Sequence, residues 1–237
     1  MKEIYEAQFV ENLFDKMSSS YSKMNCITSF GFSERWRRQC VNEINIEKGK
    51  TVVDLMTGMG ECWKPILKYS DTKSKLIGLD FSSEMIHHAE KRKEKFKNSS
   101  ISILKENVFN NSIKSETADY VISGFGLKTF NDKQLKDLAI EINRILKPDG
   151  QFSLIDVSVP KNKLLKFFFM FYLKRVIPLI GKLFLGNPET YKMLGIYTQK
   201  YKNSKNLYHI FKEANFKIEY IEYFFGCATG IKGIKRH

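Results

Sequence analysis

What this chain of 237 residues lacks already narrows what it can be. Its cysteines, Cys26, Cys40, Cys62 and Cys227, include no Cys-x-x-Cys pair, so neither a zinc pattern nor a disulfide framework follows from them. Scattered reduced thiols suit a cytoplasmic chain. No stretch reaches the ~20 uninterrupted apolar residues that a membrane span requires. The first residues, Met1-Lys-Glu-Ile-Tyr-Glu, have no apolar run of the kind a signal peptide uses. No internal repeat, low-complexity tract or long linker interrupts the chain, so one domain is expected. Acidic residues are outnumbered, 26 against 39 basic, giving a net charge of +13. The lysines are spread along the chain with no RNP1-type signature, so nucleic acid is not an expected partner. His87 and His88 are adjacent on an expected helix and point apart, so no metal site is expected.

What is present is a real core, with 43% hydrophobic residues, and one organising stretch, Thr51-Val-Val-Asp54-Leu55-Met56-Thr57-Gly58-Met59-Gly60-Glu61. Thr51 to Leu55 reads as a short buried strand. Gly58-x-Gly60 then demands a tight turn or a close approach to a ligand, and a helix is expected from about Cys62. A dinucleotide fingerprint places a third glycine where this chain has Trp63, and a P-loop needs a Gly-Lys-Ser/Thr that is absent. A second strand, Lys75 to Leu79, ends in Asp80, placed to accept the two hydroxyls of a ribose. The acidic Glu61 beside the glycine turn repels phosphate and suits the cationic end of an amino acid.

Around this stretch the chain alternates strand and helix. Strands are expected at Ile101 to Glu106, Tyr120 to Ser123 and Gln151 to Val157. Helices are expected over Ser83 to Phe96 and from an Asn131/Gln134 capping box to Leu146, with Lys147-Pro-Asp-Gly150 as a turn. Such alternation implies right-handed crossovers and a mainly parallel sheet. Ahead of it, a helix over residues 5–17 is expected to stop at Ser18-Ser-Ser20. A loop at Tyr21 to Asn25 and a second helix capped by Ser33 follow, together a cover for the sheet. After it comes an aromatic segment, Leu164 to Leu185, broken by Pro178 and Gly181. That segment reads first as a helical lid, with membrane contact or a dimer contact as the other readings. A helix over Ser204 to Ala214, a left-handed Asn215 and a closing hairpin complete the pattern. The expected organisation is a cover (1–48), a core (49–159), a cap (160–203) and a terminal helix with its hairpin (204–237).

Gly58-x-Gly60 after one strand, with Asp80 ending the next, looks like the S-adenosylmethionine (SAM) site of class I methyltransferases. Further pieces resemble the UbiE/MenG/COQ5 family of quinone C-methyltransferases across nearly the whole chain. They are Phe14-Asp15, Tyr21-x-x-Met24-Asn25, Phe125-Gly126-Leu127, Arg144-Ile-Leu-Lys147-Pro148, Val176-Ile-Pro178-x-Ile180-Gly181 and Tyr191-Lys-x-Leu194. The resemblance implies a Rossmann-like α/β fold, with a mainly parallel seven-stranded sheet and a helical cap. It implies SAM as cofactor and a small lipophilic or aromatic acceptor. Carried over, Gly58, Met59 and Gly60 lie along the methionine part, with Asp54 a cofactor-site acid orienting the glycine loop, and Asp80 takes the ribose. Phe81 and Met85 flank adenine, while Asn107 and Val108 hold its edge. Ser123 and Gly124 sit beside the sulfonium, and Arg37 or Arg38 pairs with the carboxylate.

Two departures concern the acceptor side. The family's Gly-Leu-Arg-Asn is here Gly126-Leu127-Lys128-Thr129, and the residues after the cap motif are Ile196-Tyr197, which implies a more apolar pocket. Methyl transfer to carbon or oxygen also requires loss of a proton, for which Tyr21 and Lys128 are the candidate catalytic residues. O- or N-methylation, a SAM-assisted cyclisation and a SAM-binding partner subunit are the competing functions.

Overall fold

The computed structural model describes residues 4–184 and 188–236, with the side chains of 19–26, 183–184 and 188–189 left aside. Seven strands form a single sheet in the order β3-β2-β1-β4-β5-β7-β6. They are β1 (Thr51–Leu55), β2 (Lys75–Asp80), β3 (Ser100–Lys105), β4 (Ala118–Gly124), β5 (Leu146–Val157), β6 (Phe216–Tyr223) and β7 (Ala228–Lys235). The first five run parallel, and β7 inserts antiparallel between β5 and β6. This is the Rossmann-like sheet the alternation implies.

The central strands are buried on both faces because helices cover both. On one side α5 (Asp132–Ile145) and α9 (Lys205–Glu213) pack Leu138, Ile142 and Phe211 against Val53, Val121 and Phe152. On the other, α2 (Phe32–Asn42), α3 (Trp63–Leu67) and α4 (Ser83–Lys93) pack Trp36, Cys40, Trp63 and Ala89 against Val52, Leu76 and Ile122. The Asn131/Gln134 capping box forms with both reciprocal bonds. Asn215 takes the left-handed conformation at φ 64. Strand order reverses between β1 and β4, and in open α/β sheets ligands bind beyond the carboxyl ends at such a switch point.

Three local expectations are corrected. α1 runs unbroken over Ala7–Thr28 through the serines. Ser18 turns its hydroxyl back to donate to the Asp15 carbonyl at 2.9 Å, so a polar side chain is satisfied without ending the helix. Ser33 does not cap α2. Gly31 occupies the cap position, and the Ser29 hydroxyl accepts the Ser33 N–H at 3.1 Å. In the cap, α6 (Lys163–Phe171) passes through five residues of wider π-turn, Tyr172–Val176, into α7 (Ile177–Phe184). The wider turn makes room for Pro178, which lacks an N–H and would clash in a regular helix. Gly181 is a contact and not a break: a Cβ there would lie 2.7 Å from the Tyr191 ring of α8 (Pro188–Tyr201). The expected 147–150 turn is also present, as a bulge early in β5 with Asp149 at φ 60.

Cover and cap share a small core of Leu13, Met17, Ile177, Tyr191 and Tyr197. Tyr197 does not enlarge an apolar pocket; it is fully buried and donates its hydroxyl to the Ile4 carbonyl. Among the described residues no helix is long and apolar enough to cross a membrane.

Candidate active site

The glycine turn is built on Trp63. Its indole lies beneath the loop, where a Cβ on Gly60 (φ +77) would come within 2.5 Å of the ring and one on Gly78 within 3.0 Å. Trp63 Nε1 donates to Thr57 Oγ1 at 2.8 Å, and Thr57 in turn donates to Asp54 Oδ2. The large residue that excludes a dinucleotide fingerprint is therefore the floor of the loop, and the glycines exist to seat it.

Above this floor a cavity of about 970 Å³, open mouth included, lies at the carboxyl ends of β1, β2 and β4. Of the residues expected at the cofactor, Asp54, Gly58, Asp80, Phe81, Met85, Asn107, Val108, Gly124 and Arg37 are on its wall. Met59 and Gly60 lie behind the wall within the turn. Ser123 is fully buried within the sheet layer, beside the Cys40 contacts. Arg38 is exposed. Tyr21 lies in α1, and its side chain is outside the described residues. Several further wall residues were not assigned to the site from the sequence. Tyr5, Val10 and Phe14 bring the N-terminal cover over the cavity. Asp15 explains the pairing of Phe14 with an acid: its Oδ1 accepts from Ser82 Oγ at 2.5 Å and the Glu84 N–H at 3.2 Å, pinning α1 to the N-terminus of α4.

The wall is strongly acidic. Asp80 Oδ2 accepts the Gly58 N–H at 2.8 Å and Oδ1 the Ser82 N–H at 3.0 Å. Burial nonetheless lifts its carboxyl from 3.8 to about 6, with nearby Glu61 adding to the rise. Asp54 is lifted further, to about 7, again mainly by burial, with Glu61 and Asp80 reinforcing it against the opposing Thr57 hydroxyl and Arg37. Arg37 stands 4.0 Å from Glu61. Asp54 Oδ1 and Glu61 Oε1 are buried without a hydrogen-bond partner among the described residues. Three carboxylates thus face one guanidinium, an arrangement that favours a cationic guest and disfavours a phosphate.

These shifts have a stability consequence with a fixed sign. A carboxyl whose pKa is raised by folding binds its proton more tightly in the native state, so native stability from this source falls as pH rises through the interval. For Asp54 that interval runs from 3.8 to about 7. Asp54→Asn is therefore expected to raise the ligand-free unfolding midpoint relative to the parent at pH 8, with the difference shrinking toward pH 4. A difference independent of pH removes the shift.

A second cavity of about 1260 Å³ adjoins the first under the cap. Its lining is mainly apolar, with Trp36, Phe169, Tyr172, Ile177 and Leu194 among the contributors. Among the described residues only Phe125 and Lys128 line both cavities. Phe125 adopts φ 80, a conformation that costs a bulky residue energy. Its ring is thereby held 4.6 Å from the Arg37 guanidinium and 5.8 Å from Lys128 Nζ. Lys128 is buried and pairs with the fully buried Asp156 at 2.7 Å. Asp156 also accepts the N–H groups of Gly126 (3.0 Å), Lys128 (2.9 Å) and Val157 (2.6 Å), so it shapes the whole turn after β4. In the sequence Asp156 stands out only as an acid one residue from the end of β5, at the carboxyl edge of the sheet.

Residues 1–235 match the model of the ubiE/COQ5 methyltransferase family. The chain belongs to that family. A demethylmenaquinone methyltransferase of Lactiplantibacillus plantarum is 30% identical over 95% of both chains. One from Bacillus licheniformis is 30% identical over 97% of both. The fold is also that of a SAM-dependent methyltransferase from Aquifex aeolicus, at a TM-score of 0.59 and 17% identity over 84% of this chain and 88% of that one. This member of the ubiE/COQ5 family is thus a methyltransferase, and the Rossmann-like architecture is the one its fold relatives share.

Proposed function

We propose that the first cavity takes SAM and the second a lipophilic hydroquinone of the demethylmenaquinol type, which is methylated on a ring carbon. The observation that carries this reading is the shared wall: among the described residues, a polar, acidic cavity and an apolar one share Phe125 and Lys128, and Lys128 is anchored from behind by buried Asp156. The first cavity fits SAM on its own chemistry. Asp80 keeps acceptor capacity for ribose hydroxyls, since a carboxylate oxygen has two lone pairs and each has accepted one backbone N–H. The oxygens of Asp54 and Glu61 that lack a hydrogen bond among the described residues suit the ammonium of the methionine part, and Arg37, 4.0 Å from Glu61, its carboxylate. Phe81 and Met85 offer apolar surface for adenine, beside Asn107 and Val108. Gly124 leaves room that a Cβ could not, since one would lie 2.5 Å from Cys62 Sγ.

When bound, SAM supplies a methyl group already activated by its sulfonium. What the chain adds is alignment, exclusion of water and control of one proton. The apolar lining of the second cavity orients a flat ring and keeps water from it. A hydroquinone is most nucleophilic at carbon once a hydroxyl has lost its proton. Lys128 has three N–H donors, of which Asp156 takes one, leaving donors to stabilise that phenolate oxygen. Asp156 holds the ammonium in place, and Phe125, which lines both cavities, flanks the place where donor and acceptor meet.

The test is incubation with methyl-labelled SAM and short-chain naphthohydroquinones, with phenols and amines as comparison acceptors, and the products read by mass spectrometry. Label on a ring carbon of the hydroquinone is the expected result. Label on oxygen or nitrogen, or none at all, overturns this acceptor assignment.

A further inference from the structure

The cap exposes aromatic surface that none of the described residues covers. α6 has no buried residue, and Leu164, Phe167, Phe168 and Phe171 are each more than half exposed. Two tight turns add Phe30, 81% exposed, and Phe225, 74% exposed. The two turns reach the second cavity, while Phe167 and Phe171 line a separate surface groove. Phe30 lies 6.1 Å from the Tyr172 ring, Phe224 lies 4.5 Å from Phe32, and both Phe30 and Phe224 line the cavity. Three of these rings are held out by strained backbone: Phe30, Phe224 and Phe225 have φ of 51, 45 and 55. A bulky residue rarely adopts that conformation, and a chain that tolerates it three times on exposed phenylalanines holds them out against two costs at once.

Charge points to the occupant. Between Asp156 and Glu189 the chain carries Lys161, Lys163, Lys166, Lys174, Arg175 and Lys182 and no acidic residue. Lys161, Lys166, Lys174, Arg175 and Lys202 share a surface groove with Phe167 and Phe171. Aromatic side chains flanked by lysine and arginine match the boundary between acyl chains and anionic headgroups. Within the same stretch, the residues that seat the cap on the rest of the chain, such as Ile177, are buried.

We propose that this rim seats the protein on an anionic lipid bilayer, with the phenylalanines entering the acyl boundary and the basic residues meeting headgroup phosphates. The mouth of the second cavity then opens on the membrane, and an oily acceptor reaches it without crossing water. That last consequence rests on the acceptor reading above; the seating itself does not.

Co-sedimentation with vesicles of phosphatidylcholine, alone or mixed with phosphatidylglycerol, tests it. Binding to the mixed vesicles is expected to exceed that to phosphatidylcholine by about tenfold or more and to fall as salt is raised. The triple change Phe167→Ser, Phe168→Ser, Phe171→Ser lies outside both cavities, so it should lower vesicle binding about tenfold while turnover of a water-soluble short-chain acceptor is unchanged. Phe225→Gly should also weaken binding without lowering the unfolding midpoint, because glycine takes the left-handed conformation freely. Absence of binding to anionic vesicles, or binding that these variants leave intact, overturns the proposal. So does a parent that sediments as a dimer, ignores vesicles and becomes monomeric in the triple variant, which would make the rim a self-association face. Loss of turnover on the soluble acceptor in the parent protein would instead count against the acceptor reading.

Discussion

Replacing Lys128 by methionine is expected to lower turnover by about a hundredfold or more while changing SAM affinity less than about threefold, the size of effect seen when one positioned proton-handling group is removed. Lys128 stands on the wall shared by the two cavities and pairs with buried Asp156 at 2.7 Å. Methionine keeps the stem that packs near Phe125 but removes every donor that could meet a phenolate oxygen. Removing one member of a buried pair also costs stability, about 3–5 kcal/mol where the remaining charge is left bare. Asp156 is not bare here, because the N–H groups of Gly126, Lys128 and Val157 still donate to it. The loss of stability should therefore fall below that range.

Lys128→Arg separates a chemical role from a merely structural one. Arginine preserves the pair with Asp156 and still offers donors toward the second cavity, so it should retain much of the turnover, where methionine does not. Asp156→Asn should behave differently again. It keeps an acceptor for the backbone turn but leaves the ammonium loosely held, so kcat falls and the KM for SAM stays near that of the parent. If the methionine variant works at the parental rate, Lys128 is a core lysine and the proton is handled elsewhere.

The contrast between Asp80 and Asp156 shows how far the sequence could be read. Asp80's place on the cavity wall was legible because its signals are local: it ends a strand one crossover from a glycine turn, and both signals sit in short windows. Asp156 gains its partners from a turn about thirty residues earlier, and nothing in its own neighbourhood announces them. The same holds for conformation. Asn215 was legible as left-handed because asparagine tolerates that region, whereas Phe30, Phe125, Phe224 and Phe225 occupy it against their own preference. Strain imposed by tertiary packing leaves no local signature. The stop expected at the serines failed for the opposite reason. Serine's weak helix propensity is a cost of only about half a kcal/mol per residue, easily overridden by the packing of Leu13 and Met17 on the cap.

Asp80→Ala should weaken SAM binding about a hundredfold, equivalent to about 3 kcal/mol or two charge-assisted hydrogen bonds. Part of that loss could come from the loop and not from the ribose, because Asp80 also receives the N–H groups of Gly58 and Ser82. A thermodynamic cycle separates the two. S-adenosylhomocysteine and its 2′-deoxy analogue are titrated into the parent and the variant by calorimetry. If Asp80 meets the ribose, the parent discriminates between the two ligands and the variant does not. If Asp80 only clamps the loop, both proteins discriminate equally, and the ribose assignment is lost. The pH dependence supplies an independent check. With its carboxyl lifted to about 6 by burial, Asp80 is protonated in the ligand-free protein at mildly acid pH. A protonated carboxyl can no longer accept from both hydroxyls, so parental affinity should fall as pH drops below that value. Asp80→Ala should remove that part of the pH dependence and leave the part contributed by Asp54.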